Sequence, residues 1–296
     1  MNPGRMMRRA TLAAIALAAT LIIAKAIAFA ATGSLAMLSS LTDSLLDGFA
    51  SLVTAWAVRV ALIPADDEHR FGHGKAEPLA ALAQAAFITG SGVLLLVESV
   101  QRLRRPVPVE NEAAGIAVMV LASVLTLALV IYQRRVVRLS GSLAIDADSL
   151  HYRGDLMMNA GVILALLLAG PAGLTLADPL IGAAIALYLM VSAWSLARRS
   201  VDVLMDREWP AEERERLQAI ALSEPLVRGV HDLRTRVSGL DRFAQMHLEM
   251  DGGLPLREAH GVAQAVERKV AAAFPNVHVI IHQDPEGMEL EPHTHP

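Results

Sequence analysis

Six runs of about twenty or more predominantly apolar residues dominate the chain, at about 10–31, 35–62, 79–101, 113–132, 143–169 and 179–197. A helix of that length just crosses the hydrocarbon core of a bilayer. The whole chain is 54% hydrophobic with a mean hydropathy of +0.43, more apolar than soluble domains usually are. Aromatics make up only 4%, so Ala, Leu, Val and Ile carry the apolar character. These runs predict a membrane-embedded, all-α six-helix transmembrane bundle over residues 1–208. Arg5, Arg8 and Arg9 precede a first run close to a full span, so we expect a retained helix there, not a cleaved signal peptide. Lys25 lies inside that run and is expected to face protein or to snorkel.

Lys and Arg distribution sets the orientation. With the N-terminus inside, ten basic residues mark the inner ends, among them Arg70, Lys75, Arg134, Arg135, Arg138, Arg198 and Arg199. The outer loops carry three, Arg102, Arg104 and Arg105, partly offset by Glu110 and Glu112. Both termini are therefore expected in the cytoplasm, although the Arg102–Arg105 cluster fits this poorly.

The texture changes at Trp209-Pro210. A polar helical stretch is followed by two alternating stretches, a second helical period and a short apolar strand around 277–282. That order, αββαβ, predicts a small α+β domain over 209–288, with 289–296 left as a loose tail. Residues 209–296 hold fourteen acids and nine bases, and seven of the ten histidines. An acidic domain of this kind argues against nucleic acid and for cations as company.

Two stretches inside the apolar runs carry the chemistry. Asp43 and Asp47 are four apart, as are His151 and Asp155, so each pair lies on one helix face. A carboxylate in a membrane helix is expensive and faces a bundle interior or a watery cavity. Two helices turning these pairs inward would offer three carboxylates and one imidazole to one point. With no cysteine in the chain, that N/O donor set suits a divalent transition metal, and zinc first among them. Bound protons would compete directly with metal at such a site. The bland reading is helix-to-helix hydrogen bonding, which we expect for Asn159. Asp146 and Asp148 lie near the start of their helix and are expected to be structural.

Two further groups are more open. Asp66, His69 and His73, in D-D-E-H-R-F-G-H-G-K, could wrap an ion or form a solvated charged loop. His231, His247, His260, His282 and Asp284 spread over four elements of the small domain, and the residues alone leave metal binding and satisfied histidines as equal readings. His278 shares a strand face with His282. His293 and His295 in the tail are expected to be solvated. No nucleophile elbow, phosphate-binding loop or H-E-x-x-H motif is present, so nothing points to an enzyme.

Six motifs in order, L-T-D-S-L-L-D, P-A-D-D-E-H-R-F-G-H-G-K-A-E, L-H-Y-R-G-D-L-M-M-N, H-D-L-R-T-R, H-L-E-M and I-I-H-Q-D-P, resemble those of bacterial cation diffusion facilitators of the ferrous-iron and zinc efflux type. The resemblance covers nearly the whole chain. It implies six spans and a metallochaperone-like, ferredoxin-like αββαβ cytoplasmic domain. It also implies a homodimer in the bacterial inner membrane that exchanges metal for protons by alternating access. It makes Asp43, Asp47, His151 and Asp155 the transport site, and Asp66, His69 and His73 a loop zinc site. His231, His247, His260, His282 and Asp284 become a binuclear zinc site at the dimer contact, with Asp284 bridging. A charge interlock between Lys75 and Asp206 of opposite subunits is implied as well. Manganese-type relatives replace the imidazole with further acids, so His151 favours Zn²⁺, Cd²⁺ or Fe²⁺. Thr42 and the stretch 289–296 depart from the pattern. The rival to a transporter is a membrane-anchored zinc sensor or store, in which the membrane carboxylates are structural.

Overall fold

The computed structural model describes residues 2–33, 35–104, 113–172 and 176–287. The expected tail, with His293 and His295, lies outside the described residues, as do Arg105, Glu110 and Glu112. Two compact units divide the chain, 1–201 and 202–296.

The first unit is helical: α1 (Pro3–Thr32), α2 (Leu35–Ala61), α3 (Ala76–Arg104), α4 (Ala113–Ser140), α5 (Leu143–Ala172) and α6 (Ala177–Leu204). Asn2 caps α1 by accepting from the Arg5 amide, and Pro3 fits the first turn. Gly33 ends α1 at φ 62°, its N–H donating to the Phe29 carbonyl at 2.8 Å. Large apolar side chains such as Leu94, Val191 and Trp194 stand outside the helices, as suits a hydrocarbon solvent. Small residues let helices approach closely. A Cβ on Gly182 of α6 would come within 2.7 Å of Ser99 Oγ on α3.

Five of these helices contain long apolar stretches able to cross a membrane: Pro3–Ala31, Met37–Ala61, Ala76–Arg104, Met119–Ser140 and Ala177–Leu204. The sixth, α5, is equally long but is not among them. Asp146, Asp148, Arg153 and Asp155 crowd its first half. The glycine and proline at 170 and 171 do not break α5, which continues to Ala172. The misfit Arg102 is matched locally, at 2.8 Å from Glu98 and 3.2 Å from Asp178.

The second unit folds as α7 (Ala211–Leu222), β1 (Gly229–Ser238), β2 (Asp241–Met250), α8 (Leu256–Ala273) and β3 (Val277–Pro285). The sheet order is β1-β2-β3, antiparallel then parallel. Strand β2 shows why the sequence folds so. Ala244, Met246, Leu248 and Met250 point into a core with Leu217, Val266, Val270 and Phe274. The intervening Phe243, Gln245, His247 and Glu249 are left for the opposite face. Trp209 anchors the start of the domain. Its backbone N–H donates to Thr235 Oγ1, its indole N–H to the Arg236 carbonyl, and Arg242 lies over its ring at 3.7 Å.

Candidate metal centres

Helices α2 and α5 bring Asp47, His151 and Asp155 together. His151 Nε2 lies 2.8 Å from Asp47 Oδ1 and 4.0 Å from Asp155 Oδ2, and one donor atom from each falls within 4.8 Å of the others. The i,i+4 spacing on α5 stacks the imidazole and carboxylate on one face. Phe87 and Tyr152 flank the imidazole at ring separations of 5.9 and 5.8 Å. Asp43, one turn along α2, is not in this tight group but lines the same cavity of about 370 Å³.

The cavity is one-sided. From His151 its wall continues along α5 to Asn159, and from Asp47 along α2 to Ser40. Both directions lead toward the end of the bundle where α1 meets α2. In the opposite direction lies a buried polar layer. Asp148 accepts from Ser51 Oγ at 3.1 Å and Gln133 Nε2 at 2.6 Å, and Ser51 meets the Tyr152 hydroxyl at 2.9 Å. Thr54 donates to Gln84 Oε1 at 3.0 Å, and Ser142 Oγ donates to the buried Glu77 carboxylate. These groups close α2, α3, α4 and α5 together on that side; each has at least one partner, while Gln84 Nε2 and Gln133 Oε1 are buried without one. Asp146 pairs with Arg199 at 2.6 Å, and Asn159 donates to Ser123 Oγ at 3.1 Å. Apart from Asp148, expected to be structural, the layer was not legible in the sequence. The remaining signal was lone polar residues, Glu77, Gln84 and Gln133, inside or beside apolar runs.

In the loop between α2 and α3, Asp66 sits 3.4 Å from His69 Nδ1 by one oxygen and 3.4 Å from His73 Nε2 by the other. The backbone N–H of His69 donates to Asp66 Oδ1 at 2.6 Å, and that of Glu68 at 3.1 Å. The His69 amide first, with smaller help from His73, holds the Asp66 carboxyl below the usual carboxylate range, so it is ionised and ready to ligate. His73 turns Nε2 toward Asp66, while its Nδ1 is buried without a hydrogen-bond partner. Gly72, at φ 76°, lets the loop turn between the two histidines.

In the second unit, strand register aligns the histidines. His231 faces His247 on β2, and His247 faces His282 on β3. Below them Asp284 is only 6% exposed. Its Oδ2 lies 2.8 Å from His247 Nδ1 and 3.3 Å from His231 Nε2, and its Oδ1 3.1 Å from His282 Nε2. Neither nitrogen of His231 makes a well-aligned hydrogen bond, although Glu249 Oε1 is 2.8 Å from Nδ1. A bulge after His231 places Asp232 at φ 44°, with its carboxylate 3.8 Å from His247 Nε2. His260, by contrast, lies on α8, where it meets Gln264 at 3.1 Å, and is not in the His231–His247–Asp284 group. His278 stacks on Phe243 at 5.1 Å. Asp206, at φ 56°, lies 3.6 Å from Arg236.

Residues 11–205 match the family model of the cation efflux transmembrane domain, and residues 209–286 that of the cation efflux protein cytoplasmic domain. The chain belongs to the cation diffusion facilitator family. The cation-efflux pump FieF of Shewanella oneidensis is 50% identical over 285 residues, covering 96% of this chain and 95% of its own. The same-named pump of Klebsiella pneumoniae is 47% identical over 285 residues, with the same coverage. A solved structure of the zinc form of CzrB is 38% identical, spans 29% of this chain and 99% of its own, and has a TM-score of 0.27. As a facilitator of this family, the protein is a multi-pass membrane protein of cation efflux.

Proposed function

We propose that this facilitator exports Zn²⁺, with Cd²⁺ and Fe²⁺ as chemically related cargo, in exchange for protons. The observation that carries the reading is the Asp47–His151–Asp155 group, set among membrane helices at the floor of a one-sided cavity. Asp43, one turn along the cavity wall, supplies the fourth donor. Three carboxylates and an imidazole bind a divalent metal and compete for protons with the same atoms, so loading one releases the other. The Lys/Arg bias, with Arg102 locally neutralised, supports an inner-membrane orientation with both termini cytoplasmic. The cavity then faces outward, and the Asp148–Ser51–Gln133 layer closes the cytoplasmic side.

The remaining assignments belong to a homodimer. Asp66, His69 and His73 would hold one zinc. His231, His247, His282 and Asp284, with His260, would hold a binuclear site where two cytoplasmic domains meet. Zinc there supplies a fixed positive charge that draws carboxylates and imidazoles of the two copies together. Lys75 of one subunit would pair with Asp206 of the other. Residues 1–208 act as the transport domain and 209–288 as the regulatory one. No catalytic chemistry is assigned.

The test is Zn²⁺ flux in proteoliposomes of the full chain. An imposed proton gradient opposing metal movement should raise the rate severalfold. Zinc binding without flux would sink the transporter reading in favour of a membrane-anchored sensor or store. Flux indifferent to the gradient would leave a passive carrier.

Metal choice follows from the one nitrogen donor. His151→Asp puts oxygen where imidazole suits zinc, so the Zn²⁺/Mn²⁺ flux ratio should fall by about tenfold or more. Competition of the two metals in one vesicle preparation measures it, and an unchanged ratio removes His151 from the ligand set.

A further inference from the structure

The cavity that holds the three carboxylates also holds a cation of the protein's own. Lys25, half-buried on α1, lines the cavity with Asp43, Asp47 and Asp155. Its ammonium donates to the Ser40 carbonyl at 3.1 Å and to Ser44 Oγ at 2.7 Å, both on α2. Ser44 is fully buried and adjoins Asp43 in sequence. Two hydrogen bonds to a neighbouring helix therefore fix the ammonium in place, so it is not free to snorkel toward the membrane surface. Asp43, Asp47 and Asp155 line the same cavity, so the field of the ammonium acts across it on all three. An ammonium inside a membrane helix is costly to keep, so its presence calls for a reason.

Charge arithmetic supplies one. Three ionised carboxylates with a neutral imidazole would leave the cavity at three negative charges, more than one divalent ion neutralises. The ammonium lowers that to two.

We propose that Lys25 is a fixed counter-charge of the transport cavity, which matches it to a single divalent cation and weakens the hold on metal enough for release from the open side. This inference rests on the transport reading of the cavity. Lys25 is not a ligand in it. It acts on the ion through space and across Asp43 and Asp155.

Three substitutions separate charge from tether. Lys25→Gln keeps an N–H donor for Ser40 and Ser44 but loses the charge. Lys25→Met loses both. Lys25→Arg keeps the charge. In proteoliposomes with Zn²⁺, Lys25→Gln and Lys25→Met should each lower KM by about tenfold, because a unit charge across a small, poorly screened cavity is worth at least that much to a divalent ion. Their kcat should fall by a similar factor as release slows, and Lys25→Arg should recover the wild-type KM. The proposal is overturned if Lys25→Gln and Lys25→Met stay within twofold of wild type in both constants. It is also overturned if kcat drops with KM unchanged or raised, which marks a mere α1–α2 tether. Asp155→Ala runs beside them. Loss of flux there with unchanged Lys25 variants rejects only the counter-charge, whereas retained flux in Asp155→Ala rejects the transport site itself.

Discussion

Asp47→Ala or Asp155→Ala should reduce Zn²⁺ flux by at least about a hundredfold while leaving a folded, assembled protein. Loss of even a partner group outside the ligand set commonly costs ten- to a hundredfold in metal affinity, and here a direct charged donor is removed. Water can enter the cavity and fill the vacated position, but it brings no charge. The three donors left would hold a divalent ion with one negative charge fewer, next to the Lys25 ammonium. Folding should survive for a separate reason. Without metal these carboxylates take up protons, and the one direct link lost between α2 and α5 is the 2.8 Å contact of Asp47 with His151. The helices are held instead by small-residue packing and by the buried Asp148–Ser51–Gln133 layer, which neither substitution touches. Flux in proteoliposomes, with gel-filtration profiles as the control for assembly, decides the matter. Near-normal flux in a well-assembled Asp155→Ala protein would reject the assignment.

Much of this architecture was readable from residue spacing, and the exceptions have physical causes. The i,i+4 pairs on α2 and α5 gave away their faces because a helix repeats every 3.6 residues regardless of its surroundings. The αββαβ order was legible because β2 alternates strictly, with Ala244, Met246, Leu248 and Met250 on one side. What periodicity cannot carry is which helix a polar residue meets. Glu77 and Ser142 are far apart in sequence, and only packing shows that they hydrogen-bond to each other. The same limit applies to Lys25. Spacing placed it in an apolar run, but its partners on α2 decide that it is tethered beside the cavity. Asp43 has the reverse history. Its spacing matched Asp47, yet one helical turn of rise leaves it outside the tightest group while still on the cavity wall. His260 shows how far donor type alone reaches. It is a histidine in a histidine-rich domain, but it stands on α8 beside Gln264, and strand register, which aligns His231, His247 and His282, says nothing of a helical residue.

Asp284→Ala should weaken zinc binding by the cytoplasmic domain by about a hundredfold or more, with the fold of that domain intact. Strand register puts His231, His247 and His282 in one row, and a carboxylate among neutral imidazoles adds the negative charge that strengthens their hold on a divalent ion. Asp284 is that anion, with one oxygen toward His231 and His247 and the other toward His282. A carboxylate placed so can serve two ions at once, which neither Glu249 nor Asp232 can do from its position against a single imidazole. The domain core should be untouched, because Met246, Leu248 and Val266 pack on the other face of the sheet. If zinc then fixes two domains together, binding energy appears as a shift of population toward the closed pair. If the protein is the proposed homodimer, probes on the cytoplasmic domains of the full-length protein should approach one another as zinc is added, and Asp284→Ala should move that midpoint by the same hundredfold. Export should suffer mainly at low zinc, since the Asp47–His151–Asp155 group is unchanged. Identical titrations for wild type and Asp284→Ala would mean that the domain clamps the dimer without sensing zinc, and the control of export would then have to reside in the membrane helices alone.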